Sequence, residues 1–365
     1  MLHASLLWSR SRHAVITLIL RDGVRIDNIG IMPVTRRQFN RISTMAAITC
    51  LAGRGRVEDK PQIPVAIAKC ADRRIGIPKA IELLGKTRFN GEKIYLKGNF
   101  NSTDRFPSST HPQALSIVAE ILRANGGSEI VLAERSGMGL ARKIWQALGI
   151  LDWARNSGIK LLPLEELPAK EWEKIRLSDS HWSDGIEAPR FLVRHACVVQ
   201  ICNLKTHRFG GQFSASLKNS VGLIAKHSFV DSKRNYMMEL HKSANQCQMI
   251  AEVNQIYSPA LLVMDAMQVF IRGGPERGEL ADPGVIAASQ DRVALDAVGL
   301  ALLRYHGAGV PLNRTTIFNQ EQIKRAVELG LGAGSANKIR LLTSDAESRD
   351  IATKLENILL EGSNG

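Results

Sequence analysis

The chain has 365 residues, 44% hydrophobic and 23% charged, which is ample material for one large α/β core or two smaller lobes. The longest apolar run, Ala14 to Leu20, falls well short of the ~18 residues that cross a bilayer, so no transmembrane span is expected. The net charge of +13 suggests nucleic acid until it is located: residues 1–57 hold nine arginines against Asp22 and Asp27, and aromatics make up only 5%. A nucleic-acid binder gathers its charge on one folded face, so this balance speaks of targeting and no nucleic-acid partner is expected.

Residues 1–60 read as a leader. Thr35-Arg36-Arg37-Gln38-Phe39-Asn40-Arg41 resembles the twin-arginine export signal and is followed by a short apolar segment, Ile42 to Gly53. Met32 lies four residues before the arginine pair, so translation can start there rather than at Met1. The expectation is export, to the periplasm or beyond, with the twin-arginine machinery as a partner. A basic arm or an organelle transit peptide is the bland alternative, and the protein is cytoplasmic if the leader does not function.

From about Gln62 to Gly365 the pattern alternates strand and helix. Ile63 to Ala68, Lys93 to Lys97 and Glu129 to Ala133 read as strands, with helices at Pro78 to Leu84, Pro112 to Ala124 and Met138 to Leu148. Asn156 to Pro189 loses the rhythm and reads as an insertion. The pattern resumes with a strand at Ala196 to Ile201, then helices at Ser214 to Ala225 and Glu239 to Ile256. Strands at Ala260 to Met264, Val285 to Ser289 and Ile339 to Leu342 alternate with helices at Arg292 to Arg304, Glu321 to Leu329 and Ala346 to Leu360. This predicts an α/β fold, a doubly wound, mostly parallel sheet flanked by helices and Rossmann-like, in one or two lobes over residues 61–365.

In such sheets ligands bind beyond the carboxyl ends of the strands. Behind Cys197 to Ile201 come Lys205, His207, Lys218 and Asn219. The lysines suit phosphate or carboxylate oxygens, the imidazole can exchange a proton near neutral pH, and the amide can orient a carbonyl. A second strand end offers Lys97, Gly98 and Asn99, with Thr110 as a cap for the following helix. A third presents Glu134 as an acid/base group, or as an exposed partner for surrounding charges such as Arg135. Asp265 and Asp282 are candidate ligands for a divalent metal; Asp291 reads as a helix cap and Asp296 falls inside that helix. Taken singly, each of these is as well explained by a solvated or structural role. Cys50, Cys70, Cys197, Cys202 and Cys247 have no C-x-x-C spacing, so no iron–sulfur or zinc motif is present and buried thiols are expected. The glycine runs at Gly273-Gly274 and Gly330 to Gly334 match no phosphate-binding loop.

Taken together, K-G-N at Lys97 to Asn99, T-H-P at Thr110 to Pro112, A-E-R-S at Ala133 to Ser136, N-L-K-T-H at Asn203 to His207, L-K-N-S-V-G at Leu217 to Gly222, M-D-A-M at Met264 to Met267 and S-Q-D-R-V-A-L-D at Ser289 to Asp296 resemble the family called domain of unknown function 362. The resemblance covers roughly residues 62–310, with Gly98 where the family more often has proline. Some relatives carry an added ferredoxin-like cluster domain and twin-arginine signals; this chain lacks the cysteine runs for clusters. The resemblance also implies a distant likeness to nickel-dependent lactate racemase, whose arginine-proline signature is missing here. It implies no particular reaction or cofactor. Two functions stay open: an enzyme that binds a small anionic substrate or cofactor and uses His207 and Glu134 for proton transfer, or a non-catalytic ligand-binding or redox-accessory protein.

Overall fold

The computed structural model describes residues 3–8, 13–19, 25–26, 32–33 and 62–361, except 86, 195, 210 and 211. In the first unit, Met1–Lys60, strand His13–Ile19 pairs antiparallel with His3–Trp8, Arg25–Ile26 and Met32–Pro33. The twin-arginine-like segment and the apolar stretch after it lie outside the described residues.

The second unit, Pro61–Gly365, is built on one sheet of eight strands. In chain order these are β1 (Ile63–Lys69), β2 (Lys93–Lys97), β3 (Glu129–Glu134), β4 (Lys160–Pro163), β5 (Cys197–Asn203), β6 (Pro259–Ala266), β7 (Val285–Ser289) and β8 (Ile339–Leu342). Across the sheet they run β8-β1-β7-β6-β5-β2-β3-β4. Neighbours are parallel except that β7 runs antiparallel to β1 and β6. This is the expected mostly parallel, Rossmann-like α/β architecture, with one sheet in place of two lobes.

Near-continuous apolar strands form because helices cover both faces. In β1, Val65 and Ile67 enter one core while Ala66 and Ala68 enter the other, as the two-residue strand period requires. The first face packs against α6 (Arg292–Tyr305), α7 (Glu321–Glu328) and α8 (Ala346–Leu360); the second packs against α1 (Arg73–Leu83), α2 (Pro112–Ala124) and α3 (Ala141–Ala147). Asp291 caps α6 as its position predicts, accepting the Ala294 N–H at 2.8 Å. The order of the strands matters for the site. From β2 the chain steps outward to β3 and β4, then returns to lay β5 on the other side of β2 and proceeds the opposite way. The β2/β5 boundary is therefore a topological switch point, where adjacent crossovers diverge and leave a crevice at the strands' carboxyl ends.

Several local expectations change. The presumed insertion supplies the edge strand β4, only four residues long and preceded by Gly158 at φ 64°. It also supplies the hairpin Trp172–Ile175 with Ile186–Pro189. The long helix expected at Glu239 to Ile256 is two helices, α4 (Tyr236–Lys242) and α5 (Gln246–Glu252), followed by a single tighter turn, Val253–Ile256. The interruption falls at Ser243, whose backbone is extended. Gly273 and Gly274 sit at the turn of a second hairpin, Val269–Gly273 with Gly278–Ala281; both have positive φ, which explains glycine there. No helix among the described residues is long and apolar enough to cross a membrane.

Candidate functional site

A cavity of about 590 Å³ opens at the carboxyl ends of β3, β2 and β5. Lys97, Asn99, Glu134, Lys205, His207, Lys218 and Asn219 all line it, so residues up to 122 positions apart in sequence share one concavity. Arg135, His241 and an apolar set that includes Phe100, Val221, Met237 and Leu240 complete the wall.

The most enclosed part is an ion pair. Lys97 and Glu134, each 2% exposed, approach to 2.8 Å. The ammonium also donates to Gly98 O at 2.6 Å and Asn219 Oδ1 at 3.1 Å, which uses all three of its N–H bonds. Glu134 Oε2 accepts the Phe100 N–H at 3.0 Å, and Oε1 accepts the Arg135 N–H at 3.1 Å. Burial lowers the Lys97 pKa and raises that of Glu134, while their mutual attraction opposes both shifts. Glu134 is therefore no exposed charge. Gly222 is what lets the next segment close over the pair: a Cβ there would stand 2.5 Å from Glu134 Oε1 and 2.8 Å from Lys97 Nζ. Asn219 is likewise committed, passing its amide N–H to Gln200 Oε1 at 3.0 Å.

The other cations are paired differently. Arg135, 3% exposed, donates through Nε to Ile224 O at 2.9 Å and through Nη2 to Val221 O, and burial lowers its pKa to about 10. Lys205, also 3% exposed, donates to Pro107 O at 3.3 Å and to Ser108 O, and forms no salt bridge among the described residues. Burial first, then the charge of Lys218, lowers its pKa to about 7. The Lys218 ammonium has no hydrogen bond or ion pair among the described residues; its side chain is half-buried, and desolvation lowers its pKa to about 8. These two lysines are not the solvated surface charges that each residue alone suggests.

His207 sits at the rim, where Nδ1 accepts the Phe209 N–H at 3.3 Å and the two rings meet edge to face. His241, which the sequence pattern did not single out, lies on the same rim. Its Nδ1 contacts Gln246 Nε2 at 3.1 Å, and burial together with Lys218 and Arg135 lowers its pKa. The available signal was its place one turn after Met237 on α4, on the side that carries the buried Leu240. Arg135 was missed as a site residue because a charge beside Glu134 reads as its surface partner until both prove buried.

The lysine-bearing turn is held from across the core. Asp296, fully buried inside α6, accepts the Ser216 N–H at 2.8 Å, the Ser216 hydroxyl at 2.5 Å and the Leu217 N–H at 3.1 Å. It thereby fixes the single turn Ser216–Asn219 that presents Lys218 and Asn219. The Thr110 expectation is corrected. His111 caps α2 through Nδ1 to the Gln113 N–H at 3.1 Å, while Thr110 accepts the Asn99 N–H at 2.7 Å and donates to Asn203 at 3.2 Å. Thr110 thus ties the Lys97 loop to β5.

Asp265 and Asp282 do not form a metal-binding donor set. Asp265 takes Arg73 Nε at 2.6 Å and Nη2 at 3.3 Å, so its charge is already neutralised. Asp282 accepts from Gln268 at 2.8 Å and lines a separate cavity of about 480 Å³. Among the described residues no group of three or more His, Cys, Asp or Glu side chains is placed to hold a metal.

Three similarities to known proteins are found. The chain is 25% identical over 228 residues to a thylakoid-associated protein of Synechocystis sp., a match spanning 60% of this chain and 66% of that relative, just under two thirds of its length. It is similar to the lactate racemase apoprotein of Thermoanaerobacterium thermosaccharolyticum, at 12% identity and a TM-score of 0.39, over 66% of this chain and 57% of the other. The family model described as domain of unknown function (DUF362) matches residues 94–301, more than half of the chain and a stretch that includes every cavity residue named above, and the chain belongs to that family.

Proposed function

We propose that this protein binds a small organic anion in the cavity at the β2/β5 switch point and transfers a proton on it. One observation carries the reading. Both carboxylates among the described lining residues are already paired, Glu134 with Lys97 and Glu276 with Arg208, which leaves Lys205, Lys218 and Arg135 without a salt bridge among the described residues. Buried cations without partners are costly, and a bound anion removes that cost. The volume suits a small molecule, Phe100, Met237 and Leu240 can receive its apolar part, and Asn99 adds a polar contact. The lowered pKa of His241 keeps its imidazole neutral and able to accept a proton, and His207 on the same rim is the second candidate carrier. The twin-arginine-like order at Thr35 to Arg41 supports export of the folded chain.

Calorimetric titration of the full chain with succinate, citrate and inorganic phosphate tests the reading. At mildly acidic pH at least one of these binds, and Lys218→Met weakens it by about tenfold or more, the scale of a lost charged hydrogen bond. The protonated lysines are the binding forms, so affinity holds below pH about 7 and is lost as the pH rises past about 8. Absence of binding, or equal affinity in Lys218→Met, overturns the proposal. Exchange of solvent deuterium into the bound anion that disappears in His207→Ala or His241→Ala supports proton transfer; binding without exchange favours an accessory role.

A further inference from the structure

We propose that Lys205 is a nucleophilic amine that forms an imine with a small oxo acid whose carboxylate lies on Lys218; the assignment rests on the anion-binding reading above and names its substrate class. The three cavity lysines differ in how their nitrogens are satisfied. Lys97 has three acceptors, one of them a carboxylate, which is what an ammonium requires. Lys205 has two, both neutral backbone carbonyls at Pro107 and Ser108. A neutral amine carries two N–H bonds and one lone pair, so those two carbonyls satisfy it completely and leave the lone pair for the cavity that Lys205 lines. An ammonium there would keep one N–H unpaired and a buried charge without a salt bridge among the described residues, next to the positive Lys218 and Lys97. Desolvation beside another cation is how a lysine is made nucleophilic at neutral pH, and the depressed titration of Lys205 agrees with it.

Lys218 supplies the other half. Its ammonium has no protein acceptor among the described residues, so a substrate carboxylate is the partner it lacks. An oxo acid presents a carboxylate for Lys218 and an electrophilic carbon for Lys205 in one small molecule. The neutral amine adds to the carbonyl carbon, forming the C–N bond as the π electrons move to oxygen. A proton then passes from nitrogen to that oxygen to give the carbinolamine. A second proton, from His207 two residues along the same segment, leaves with the hydroxyl as water, and the nitrogen lone pair closes the iminium. No oxidant, reductant or further reactant is needed.

Full-length protein is incubated with pyruvate and sodium cyanoborohydride, digested, and mapped by mass spectrometry. The expected result is a carboxyethyl adduct on Lys205 far above that on any other lysine. The adduct should be absent in Lys205→Arg, and Lys218→Met should lower it by about tenfold or more at limiting pyruvate. Thermal unfolding of each variant shows that it is folded. Lactate, which keeps the carboxylate and lacks the carbonyl, binds and protects without labelling. Labelling that simply follows lysine exposure, or that falls on Lys218, overturns the assignment. If pyruvate and lactate both bind and no adduct forms, the imine is wrong and the anion site stands; if neither binds nor protects, both fall.

Discussion

Among the individual residues, the difference between Lys97 and its two neighbours organises the site. Lys97 already meets a buried carboxylate at 2.8 Å and two further acceptors, so it holds the cavity wall together rather than waiting for a ligand. Lys97→Met strands Glu134 without its ammonium and is expected to destabilise the protein by about 3–5 kcal/mol in urea unfolding, whereas Lys97→Met with Glu134→Gln recovers most of that loss. A double variant no more stable than the single one would contradict this. The residue types were legible in the sequence because Lys97 and Glu134 close β2 and β3, and Lys205, Lys218 and Asn219 lie in the segment that leaves β5. Their division of labour was not, since it depends on acceptors such as Pro107 O and Asn219 Oδ1 that only the folded chain brings close. The aspartates misled for the same reason: Asp265 sits at a strand end as a ligand should, yet Arg73 reaches it from another element.

Single elements show a parallel contrast. Helices that follow a capping aspartate, such as α6 and α8, were readable almost to the residue. Short edges and interrupted helices were not: β4 has only four residues to signal it, and the break between α4 and α5 carries no proline or glycine. The turn Ser216–Asn219 is too short to be stable alone and depends on Asp296. Burial raises the Asp296 pKa to about 6. Between the unfolded value near 4 and about 6 the folded chain therefore binds more protons than the unfolded one, so this group's contribution to stability falls as pH rises through that window and then levels. Asp296→Asn, which keeps an acceptor and removes the charge, should flatten that slope in denaturation curves while weakening anion binding only modestly. Asp296→Ala should cost about 1–3 kcal/mol and lower anion affinity as the Lys218 turn loosens. An unchanged pH slope in Asp296→Asn would rule out this role.

For the molecule as a whole, the strand–helix rhythm fixed the class of fold, and the return of the chain to lay β5 beside β2 placed the crevice where the strand order reverses. The rhythm could not show that β7 runs antiparallel, because its five residues are buried on both sides just as a parallel strand would be. The central physical claim is that this crevice keeps two lysines short of counter-charge until an anion arrives. Free, they should titrate near pH 7 and 8, so over the range from there to about 10.5 the unfolded chain holds the extra protons and the anion-free protein gains stability as pH rises. NMR titration of the lysine side chains, assigned by Lys205→Arg and Lys218→Met, measures this directly. Two depressed pKa values that both move upward when succinate is added would meet the prediction; two ordinary lysines titrating near pH 10.5, indifferent to the anion, would contradict it.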